Sequence, residues 1–381
     1  MIQLLTIIGT RPQIIKAAAL SRAVRDRFGD VVQEKILHTG QHYDENMSAV
    51  FFDELGIPAP DFNLGVGSGG QGIQTARMME GIEKVLLSER FHGVVLYGDT
   101  NSTLAGAVAA AKLHVPVFHV EAGLRSFNMA MPEEVNRIVC DHLSSILFAP
   151  TAAAVDNLKN EGLDLDSARF YEGRRRLVCY VGDVMYDNSL YYGTVAEKRS
   201  DILQRLELET GNYVLATVHR DFNTDNPLRL QSIFSALLNI AEEKNIKVVI
   251  PLHPRTRKML SDSSGKYLYE TLLSSERIIV IPPVSFLEMI VLEKNAALVV
   301  TDSGGVQKET FFYQRPSVIL RPETEWVEIV EHGAGTIADA DFDRIVAAYD
   351  SFCGKQIEFP HLYGDGDAAG KILGTIVDYL K

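Results

Sequence analysis

The sequence predicts an α/β protein built on two parallel, doubly wound sheets. Along its 381 residues, short runs rich in β-branched side chains alternate with longer segments of helical period, which is the pattern of repeated strand–helix units. Runs such as VVLYG and ALVVT are apolar without alternation, as in strands that are buried on both faces of a parallel sheet. Two series of this kind occur, and a weaker region, Asp164 to Thr210, separates them.

The elements of each series can be assigned in chain order. The first series predicts strands at Leu4–Ile8, Lys35–Thr39, Val94–Tyr97, Val115–Val120 and Ile146–Ala149, and helices at Ile14–Arg27, Gln71–Ser88, Leu104–Leu113 and Glu133–Ser145. The second predicts a helix at Pro227–Glu243 and strands at Val214–Val218, Lys247–Ile250, Ile278–Ile281, Ala297–Thr301 and Ser317–Leu320. We therefore expect Rossmann-like domains over residues 1–170 and 180–360, with a last helix at about 368–380 packing back onto the first domain. Ligands of open parallel sheets bind outside the carboxyl ends of the strands, so two facing domains predict a cleft.

Composition excludes several classes of function. The 50 acidic residues against 37 basic ones give a net charge of −13 and an isoelectric point of about 5.3, which argues against non-specific nucleic-acid binding. No apolar stretch approaches the roughly 18 residues of a membrane span, and the apolar N-terminal run is too short for a secretory leader. The three cysteines lie far apart, so neither a disulfide framework nor a zinc site is indicated, and we expect a cytoplasmic protein.

Cations follow the first predicted strand, in the motif GTRPQIIK. Gly9 permits a tight turn, and Pro12 suits a first helical turn. Arg11 and Lys16 bring positive charge to a helix N-terminus, where a diphosphate can bind, although surface positions on an amphipathic helix explain them equally well. Neither a dinucleotide fingerprint nor a P-loop is present. The motif HTGQH has a central glycine, which indicates a loop rather than a metal-binding helix.

Carboxylates follow later strands of the first series. Asp99 comes after VVLYG and Glu121 after VPVFHV. Both are therefore expected at the carboxyl end of the sheet, where burial and neighbouring groups can tune a carboxylate for proton transfer. Glu133 opens a predicted helix, and taken by itself it is better explained by compensation of the helix dipole.

In the second series, the motif TDSGGVQKE follows a strand. Ser303, Gly304 and Gly305 would offer a hydroxyl and backbone N–H groups to an anion at a helix N-terminus, and a plain glycine-rich turn is the alternative. Glu309 lies on the same helix, where it could accept hydrogen bonds from a ribose diol. Cations, anion-binding turns and carboxylates together indicate a nucleoside-diphosphate ligand. Further polar side chains follow strands of this series at His219, Arg220, His253 and Arg321.

A resemblance to a known family extends over these motifs. GTRPQIIK, HTGQH, GDTNST, HVEAGLRS, MPEEVNR, ATVHR, LHPRT and TDSGGVQKE run in order through residues 9–309, and they resemble the non-hydrolysing UDP-N-acetylglucosamine 2-epimerases, whose fold is similar to the glycosyltransferase-B architecture. The resemblance implies a catalytic set of Asp99, Glu121, Glu133 and His219. It implies diphosphate contacts from Arg11, Lys16, Ser303 and Gly304, and a ribose contact from Glu309. The other substrate-site positions that it implies are Gln41, His42, Arg137, Arg220, His253, Gly305 and Arg321.

The reaction implied by the resemblance avoids direct exchange of the C2 proton, which no neighbouring carbonyl acidifies. UDP leaves C1 as the C2 proton is lost, and it adds back to the 2-acetamidoglucal while the other face of C2 is protonated. The resemblance further implies a UDP-sugar substrate, no nicotinamide cofactor and no metal, a homodimer, and a role in making precursors of a bacterial surface polysaccharide.

Departures from the family pattern bear on substrate and regulation. Gln13 stands where the common pattern has Glu, and the stretch before MPEEVNR is shorter. Both features are closer to the branch that acts on UDP-2,3-diacetamido-2,3-dideoxy-glucuronate, and both substrates stay open at this point. Members that bind UDP-N-acetylglucosamine as an activator have Gln two positions past the His of the Gln41–His42 pair. Asp44 stands there instead, and its charge would repel a second diphosphate.

Other functions also fit parts of the sequence. A hydrolysing epimerase that releases N-acetylmannosamine and UDP could use the same residues. A glycosyltransferase of similar architecture would share the donor but needs an acceptor site. A non-enzymatic sensor of sugar nucleotides would have no reason to place Asp99, Glu121 and His219 at strand ends.

Overall fold

In a computed structural model, the described residues are 1–41, 56–164, 173–261 and 266–381. They divide into two compact units, Met1–Asn188 with His361–Lys381, and Ser189–Pro360. Each unit contains one parallel sheet with helices, so the predicted α/β class is confirmed. No helix among these residues is long and apolar enough to span a membrane. The cleft that the sequence predicts stays a prediction.

The first unit has a seven-stranded parallel sheet with the order β3-β2-β1-β4-β5-β6-β7. β1 lies between β2 and β4, because the chain adds β2 and β3 toward one edge of the sheet and β4 to β7 toward the other. Ligands of doubly wound sheets bind at the carboxyl ends of the strands near such a point. The strands are β1 Ile2–Ile8, β2 Val32–His38, β3 Phe62–Asn63, β4 Gly93–Tyr97, β5 Val117–Val120, β6 Ile146–Ala149 and β7 Leu177–Tyr180.

Helices connect these strands. α1 begins at Arg11, before the predicted Ile14, because Pro12 fits the first turn of a helix. It ends at Ala23, and a π-helical segment continues to Phe28. The helices of this part of the chain are α1 Arg11–Ala23, α2 Gln71–Ser88, α3 Asn101–Lys112, α4 Pro132–Leu143, α5 Ala152–Asn160 and α6 Val184–Arg199.

The second unit has a six-stranded parallel sheet with the order β10-β9-β8-β11-β12-β13. Its core includes Ile233 and Leu237, which are buried in one cluster with Val214 and Val248 of the central strands. The strands are β8 Tyr213–Thr217, β9 Lys247–Pro251, β10 Ile278–Ile281, β11 Leu298–Thr301, β12 Ser317–Ile319 and β13 Gly335–Ile337. The helices are α7 Ile202–Arg205, α8 Asp221–Thr224, α9 Pro227–Glu243, α10 Pro254–Ser261, α11 Lys266–Ser274, α12 Phe286–Asn295, α13 Gly304–Phe312, α14 Val327–Glu331 and α15 Phe342–Phe352.

The last helix, α16 (Ala368–Leu380), belongs to the first unit and contacts α1. Asp187 of α6 accepts hydrogen bonds from the backbone N–H groups of Ala368 and Ala369, at 3.0 and 2.8 Å. A side chain from α6 therefore satisfies first-turn N–H groups of α16, which have no partner inside their own helix.

Three strands at or near sheet edges are absent from the sequence-based assignment: β3, β7 and β13. β3 and β13 are too short for a periodicity to be recognised, and β7 directly follows the basic cluster Arg174–Arg176. Because β7 pairs with β6, the first unit extends past residue 170, and its limit at Asn188 falls inside α6.

Candidate active site

Two carboxylates lie where neighbouring strands of the first sheet end. β4 and β5 are paired in parallel, and Asp99 follows β4 while Glu121 directly follows β5. Gly98 separates β4 from Asp99 and has a φ of +61°. A Cβ atom on Gly98 would lie 3.6 Å from Oε1 of Glu121 and 3.2 Å from Nζ of Lys16. The carboxylate of Glu121 therefore lies close to the backbone that carries Asp99.

Glu121 forms an ion pair with Lys16 of α1, at 2.6 Å between Oε1 and Nζ, and the two side chains are only 9% and 13% exposed. Its φ of +73° is in the left-handed region, which residues with a side chain rarely adopt. Strained positions of this kind cluster at functional sites. The motif GTRPQIIK predicts a diphosphate contact for Lys16, whereas the structure places its ammonium group against Glu121.

Asp99 is held by α4. Its carboxylate forms an ion pair with Arg137, and its backbone oxygen accepts a hydrogen bond from Nδ2 of Asn136 at 2.9 Å. Nη1 of Arg137 also contacts Glu134 at 2.8 Å. Burial opposes the charge of Arg137, but the carboxylates of Asp99 and Glu134 raise the pKa of its guanidinium above the ordinary value.

The adjacent glutamates at the start of α4 have different environments. Glu134 is buried, and its carboxylate accepts hydrogen bonds from the N–H groups of Ser126 and Phe127 at 3.0 and 2.9 Å. Burial alone would raise its pKa, but these bonds and Arg137 hold the pKa below the ordinary value. Glu133 is exposed, and its side chain makes no hydrogen bond or ion pair with any residue that the structure describes. Glu134 thus organises the loop before α4. The sequence signals its ion pair with Arg137 through the i,i+3 spacing, but not its bonds to the loop.

Amide side chains support the turns after β1 and β2. Gln13 accepts a hydrogen bond from the N–H of Gly9 at 2.9 Å and donates one to the backbone oxygen of Tyr97 at 2.9 Å. A glutamate at position 13 would place a carboxylate against that backbone oxygen. Oε1 of Gln41 accepts hydrogen bonds from the N–H and hydroxyl of Ser102, at 3.1 and 2.8 Å. The predicted site residue His42 lies outside the described residues.

In the second unit, Asp302 fixes the turn that follows β8. It is fully buried, and its carboxylate accepts hydrogen bonds from the N–H groups of His219 and Arg220, at 3.1 and 3.0 Å. Its Oδ1 lies 3.1 Å from Nδ1 of His219. Burial would raise the pKa of Asp302, but His219 and these N–H groups hold it below the ordinary value. Asp302 thus orients the ring through Nδ1 and leaves Nε2 for contacts with a ligand.

The N-terminus of α13 carries the predicted anion-binding turn. The hydroxyl of Ser303 caps the helix by accepting a hydrogen bond from the N–H of Val306 at 3.4 Å. A Cβ atom on Gly304 would lie 2.7 Å from Oε1 of Glu325, so that carboxylate lies directly against the backbone of the turn. Arg321 contacts the other oxygen of Glu325 at 2.8 Å. The helix N-terminus thus already has a carboxylate close by, as its dipole favours.

The remaining candidates of the second unit lie around these two turns. Arg220 and His253 are exposed, and Nδ1 of His253 accepts a hydrogen bond from the N–H of Arg255 at 3.3 Å. Glu309 is half-buried on α13. Burial and the negative charge of Glu309 raise the pKa of the fully buried Glu293 on α12 well above its ordinary value.

The first unit therefore assembles Lys16, Asp99, Glu121 and Arg137 around the ends of β4 and β5, and Arg11 is exposed at the first position of α1. The second unit assembles His219 with Asp302, and Ser303 and Gly304 with Arg321 and Glu325. Each set combines ionisable side chains suited to proton transfer with positive charge or helix N–H groups suited to an anion.

Residues 27–377 match the family described as UDP-N-acetylglucosamine 2-epimerase. The chain belongs to this family. It is similar to a UDP-2,3-diacetamido-2,3-dideoxy-D-glucuronate 2-epimerase of Pseudomonas aeruginosa, at 48% identity over 97% of this chain and 98% of that protein. It is also similar to a UDP-N-acetylglucosamine 2-epimerase of Methanocaldococcus jannaschii, at 40% identity over 98% of both chains.

Solved structures agree with this assignment. The Methanocaldococcus jannaschii UDP-GlcNAc 2-epimerase, in complex with UDP-GlcNAc and UDP, superposes with a TM-score of 0.84 at 40% identity and covers 99% of this chain and 100% of its own. The resemblance drawn from the sequence motifs is confirmed, and so is the glycosyltransferase-B-like fold. As a member of the 2-epimerase family, the chain is an isomerase.

Proposed function

We propose that this 2-epimerase acts on UDP-2,3-diacetamido-2,3-dideoxy-glucuronate by elimination and re-addition of UDP. A relative with 48% identity carries the name of that activity, and the UDP-N-acetylglucosamine 2-epimerase of Methanocaldococcus jannaschii is 40% identical. Gln13 supports the same substrate, because the common family pattern has Glu at this position and Gln is closer to the branch that acts on the diacetamido-glucuronate.

The observation that carries the proposed chemistry is the pairing of Asp99 with Arg137 and of Glu121 with Lys16 at the ends of neighbouring strands. Each ion pair holds a carboxylate at a strand end, and an ionised carboxylate is a group that can accept a proton. Elimination removes the C2 proton and expels UDP from C1. The return reaction delivers a proton to the opposite face of C2, so acid/base groups are needed on both faces of the sugar. We assign this work to Asp99 and Glu121, with Glu133 and His219 completing the catalytic set.

The leaving UDP carries negative charge that the protein must stabilise. We assign the diphosphate to the α13 turn with Ser303 and Gly304, where helix N–H groups and the dipole favour an anion. Arg11 and Arg321 add positive charge, and Glu309 on the same helix binds the ribose hydroxyls. Glu325 already contacts Arg321, so diphosphate binding requires its carboxylate to move away.

The cellular setting belongs to the same proposal. We propose a cytoplasmic homodimer that makes precursors of a bacterial surface polysaccharide, as the resemblance implies. The mass of the purified protein in solution, measured by light scattering, tests the dimer.

Steady-state kinetics with two substrates test the choice of sugar. We expect kcat/KM for the diacetamido-glucuronate to exceed that for UDP-N-acetylglucosamine by about ten- to a hundred-fold, since one charge-assisted hydrogen bond to the carboxylate is worth about 1.5–3 kcal/mol. UDP should inhibit both reactions with the same constant, because the two substrates share that group. A higher kcat/KM for UDP-N-acetylglucosamine would show that the uronate assignment is wrong.

A further inference from the structure

His119 is a fully buried histidine inside the first sheet, on β5, and neither proposed set of site residues includes it. Both of its ring nitrogens contact oxygen atoms. Nε2 lies 2.7 Å from the backbone oxygen of Gly98, and Nδ1 lies 2.7 Å from Oδ1 of Asp141 on α4.

These contacts determine the charge of the ring. The oxygen of Gly98 can only accept a hydrogen bond, so Nε2 must carry a proton. Oδ2 of Asp141 accepts a hydrogen bond from the N–H of Gly123 at 3.1 Å and lies 2.7 Å from Nη1 of Arg125. Both contacts favour an ionised Asp141, and its acceptor oxygen then requires a proton on Nδ1 as well. His119 is therefore a buried imidazolium.

The pKa shifts of Asp141 and His119 agree with this geometry. Burial would raise the pKa of Asp141, but His119 and Arg125 hold it below the ordinary value. Burial would lower the pKa of His119, whereas its neighbours Cys140 and Asp141 raise it well above the ordinary value. Cys140 and Asp141 face the ring from α4, and Arg125, in the segment between β5 and α4, contacts the carboxylate of Asp141.

The imidazolium connects the backbone around both proposed proton-transfer groups. Gly98, whose oxygen it holds, is bonded directly to Asp99. Asp141, its other partner, holds the N–H of Gly123 just beyond Glu121. Asp141 also lies one helical turn after Arg137, the cation that contacts Asp99, so a fixed Asp141 fixes the rotation of α4.

We propose that His119, as a permanent imidazolium paired with Asp141, is a positioning residue that holds Asp99 and Glu121 at the positions needed for proton transfer. The inference rests on the proposed function, since it takes those two carboxylates as the acid/base groups. His119 itself touches no substrate.

The first experiment tests the charge on the wild-type enzyme. In protein labelled with ¹⁵N at histidine, we expect His119 to give two ring N–H signals that exchange slowly and keep their shifts from pH 6 to pH 9. His142, the residue after Asp141, has a half-exposed ring, and its ring N–H should exchange with solvent too fast to be observed in the same spectra. A single N–H on His119, or titration within this range, would overturn the proposal whether or not any variant folds.

The second experiment compares His119→Gln with the control His142→Gln. Glutamine keeps one N–H donor but loses the charge and the second donor. We expect kcat to fall by about ten- to a hundred-fold, as for a misplacement of reacting groups by a fraction of an ångström to one ångström. KM and the UDP inhibition constant should stay within about threefold, and His142→Gln should leave all three unchanged.

The outcomes separate this inference from the proposed function. A folded His119→Gln enzyme with kcat within twofold of wild type overturns the positioning role and leaves the proposed function standing. A wild-type enzyme that turns over neither UDP-sugar overturns the proposed function, and the positioning role with it, although the two N–H signals of His119 would still be present.

Discussion

Asp99 and Glu121 contact different cations, Arg137 and Lys16, so their roles can be tested by separate substitutions. Asp99→Asn and Glu121→Gln keep the shape of each side chain and remove its ability to accept a proton. Because a positioned acid or base contributes about 10²–10⁴-fold in rate, we expect each substitution to lower kcat by about that factor. The UDP inhibition constant should change by only a few-fold, because neither carboxylate is assigned to the diphosphate.

Glu89→Gln is the matched control for these substitutions. Glu89 is also an ion-paired carboxylate of the first unit, but it contacts Lys35 and precedes β4, so it lies toward the opposite end of the sheet. Its variant should keep wild-type kcat. If the Asp99 and Glu121 variants fold and turn over at wild-type rates, these carboxylates do not transfer the proton.

Single residues also show where reasoning from sequence ends. Asp99 and Glu121 could be found because each directly follows an apolar run, and strand ends converge in a parallel sheet. Asp302 also follows an apolar run, but its role, like that of Asp141, could not be found, because it depends on burial and on contacts with His219 and His119 that the sequence does not show. The contact of Lys16 with Glu121 was missed for the same reason.

At the scale of elements, the sequence predicts long apolar segments well and docking contacts poorly. The bounds predicted for Gln71–Ser88 and Pro227–Glu243 are those of α2 and α9, because their apolar positions recur with helical period. No such periodicity indicates the role of Asp187. Its carboxylate caps α16, which begins 181 residues later in the chain, and only the folded structure brings the two together.

The contact between α6 and α16 predicts a pH-dependent stability. Burial, together with the charges of Asp183 and Asp367, raises the pKa of Asp187 to about 6 from its model-compound value of 3.8, against the effect of the two N–H bonds. As the pH rises from about 4 to 6, the unfolded chain loses this proton before the folded chain does, so the group lowers the free energy of unfolding across that window. Asp187→Asn removes the titration and keeps an oxygen for the N–H groups of α16.

We therefore expect the stability of Asp187→Asn relative to wild type to increase from pH 4 to pH 6, by at most about 1.4 kcal/mol per pH unit, and to stay constant above. Thermal unfolding followed by circular dichroism at several pH values measures the difference. Asp378→Asn is the control, because Asp378 is an exposed residue of the same helix. A constant difference between the Asp187→Asn and wild-type midpoints would contradict the assigned cause.

For the whole molecule, the sequence predicts parallel sheets but not the order of their strands. Apolar runs without alternation indicate burial on both faces, and helices between strands require parallel neighbours. The reversal of direction at β1 in the first sheet and at β8 in the second has no local signal, yet it determines which strand ends converge. The family resemblance therefore adds information that periodicity lacks.

The hydrogen at C2 reports on the complete reaction. Elimination passes through an intermediate without hydrogen at C2, so the hydrogen that returns must come from solvent. In D2O we expect both C2 epimers of the UDP-sugar to carry deuterium at C2, while no free sugar accumulates; proton NMR and mass spectrometry of the products measure both. The Asp99→Asn variant provides the control and should incorporate deuterium about 10²–10⁴-fold more slowly. Free sugar together with UDP would instead identify a hydrolysing epimerase. Transfer of the sugar to an acceptor without deuterium exchange would identify a glycosyltransferase, and binding of the UDP-sugar without exchange would identify a sensor. Each alternative treats the bond at C1 or the proton at C2 differently. This measurement therefore distinguishes them without any knowledge of the pathway or of a partner protein.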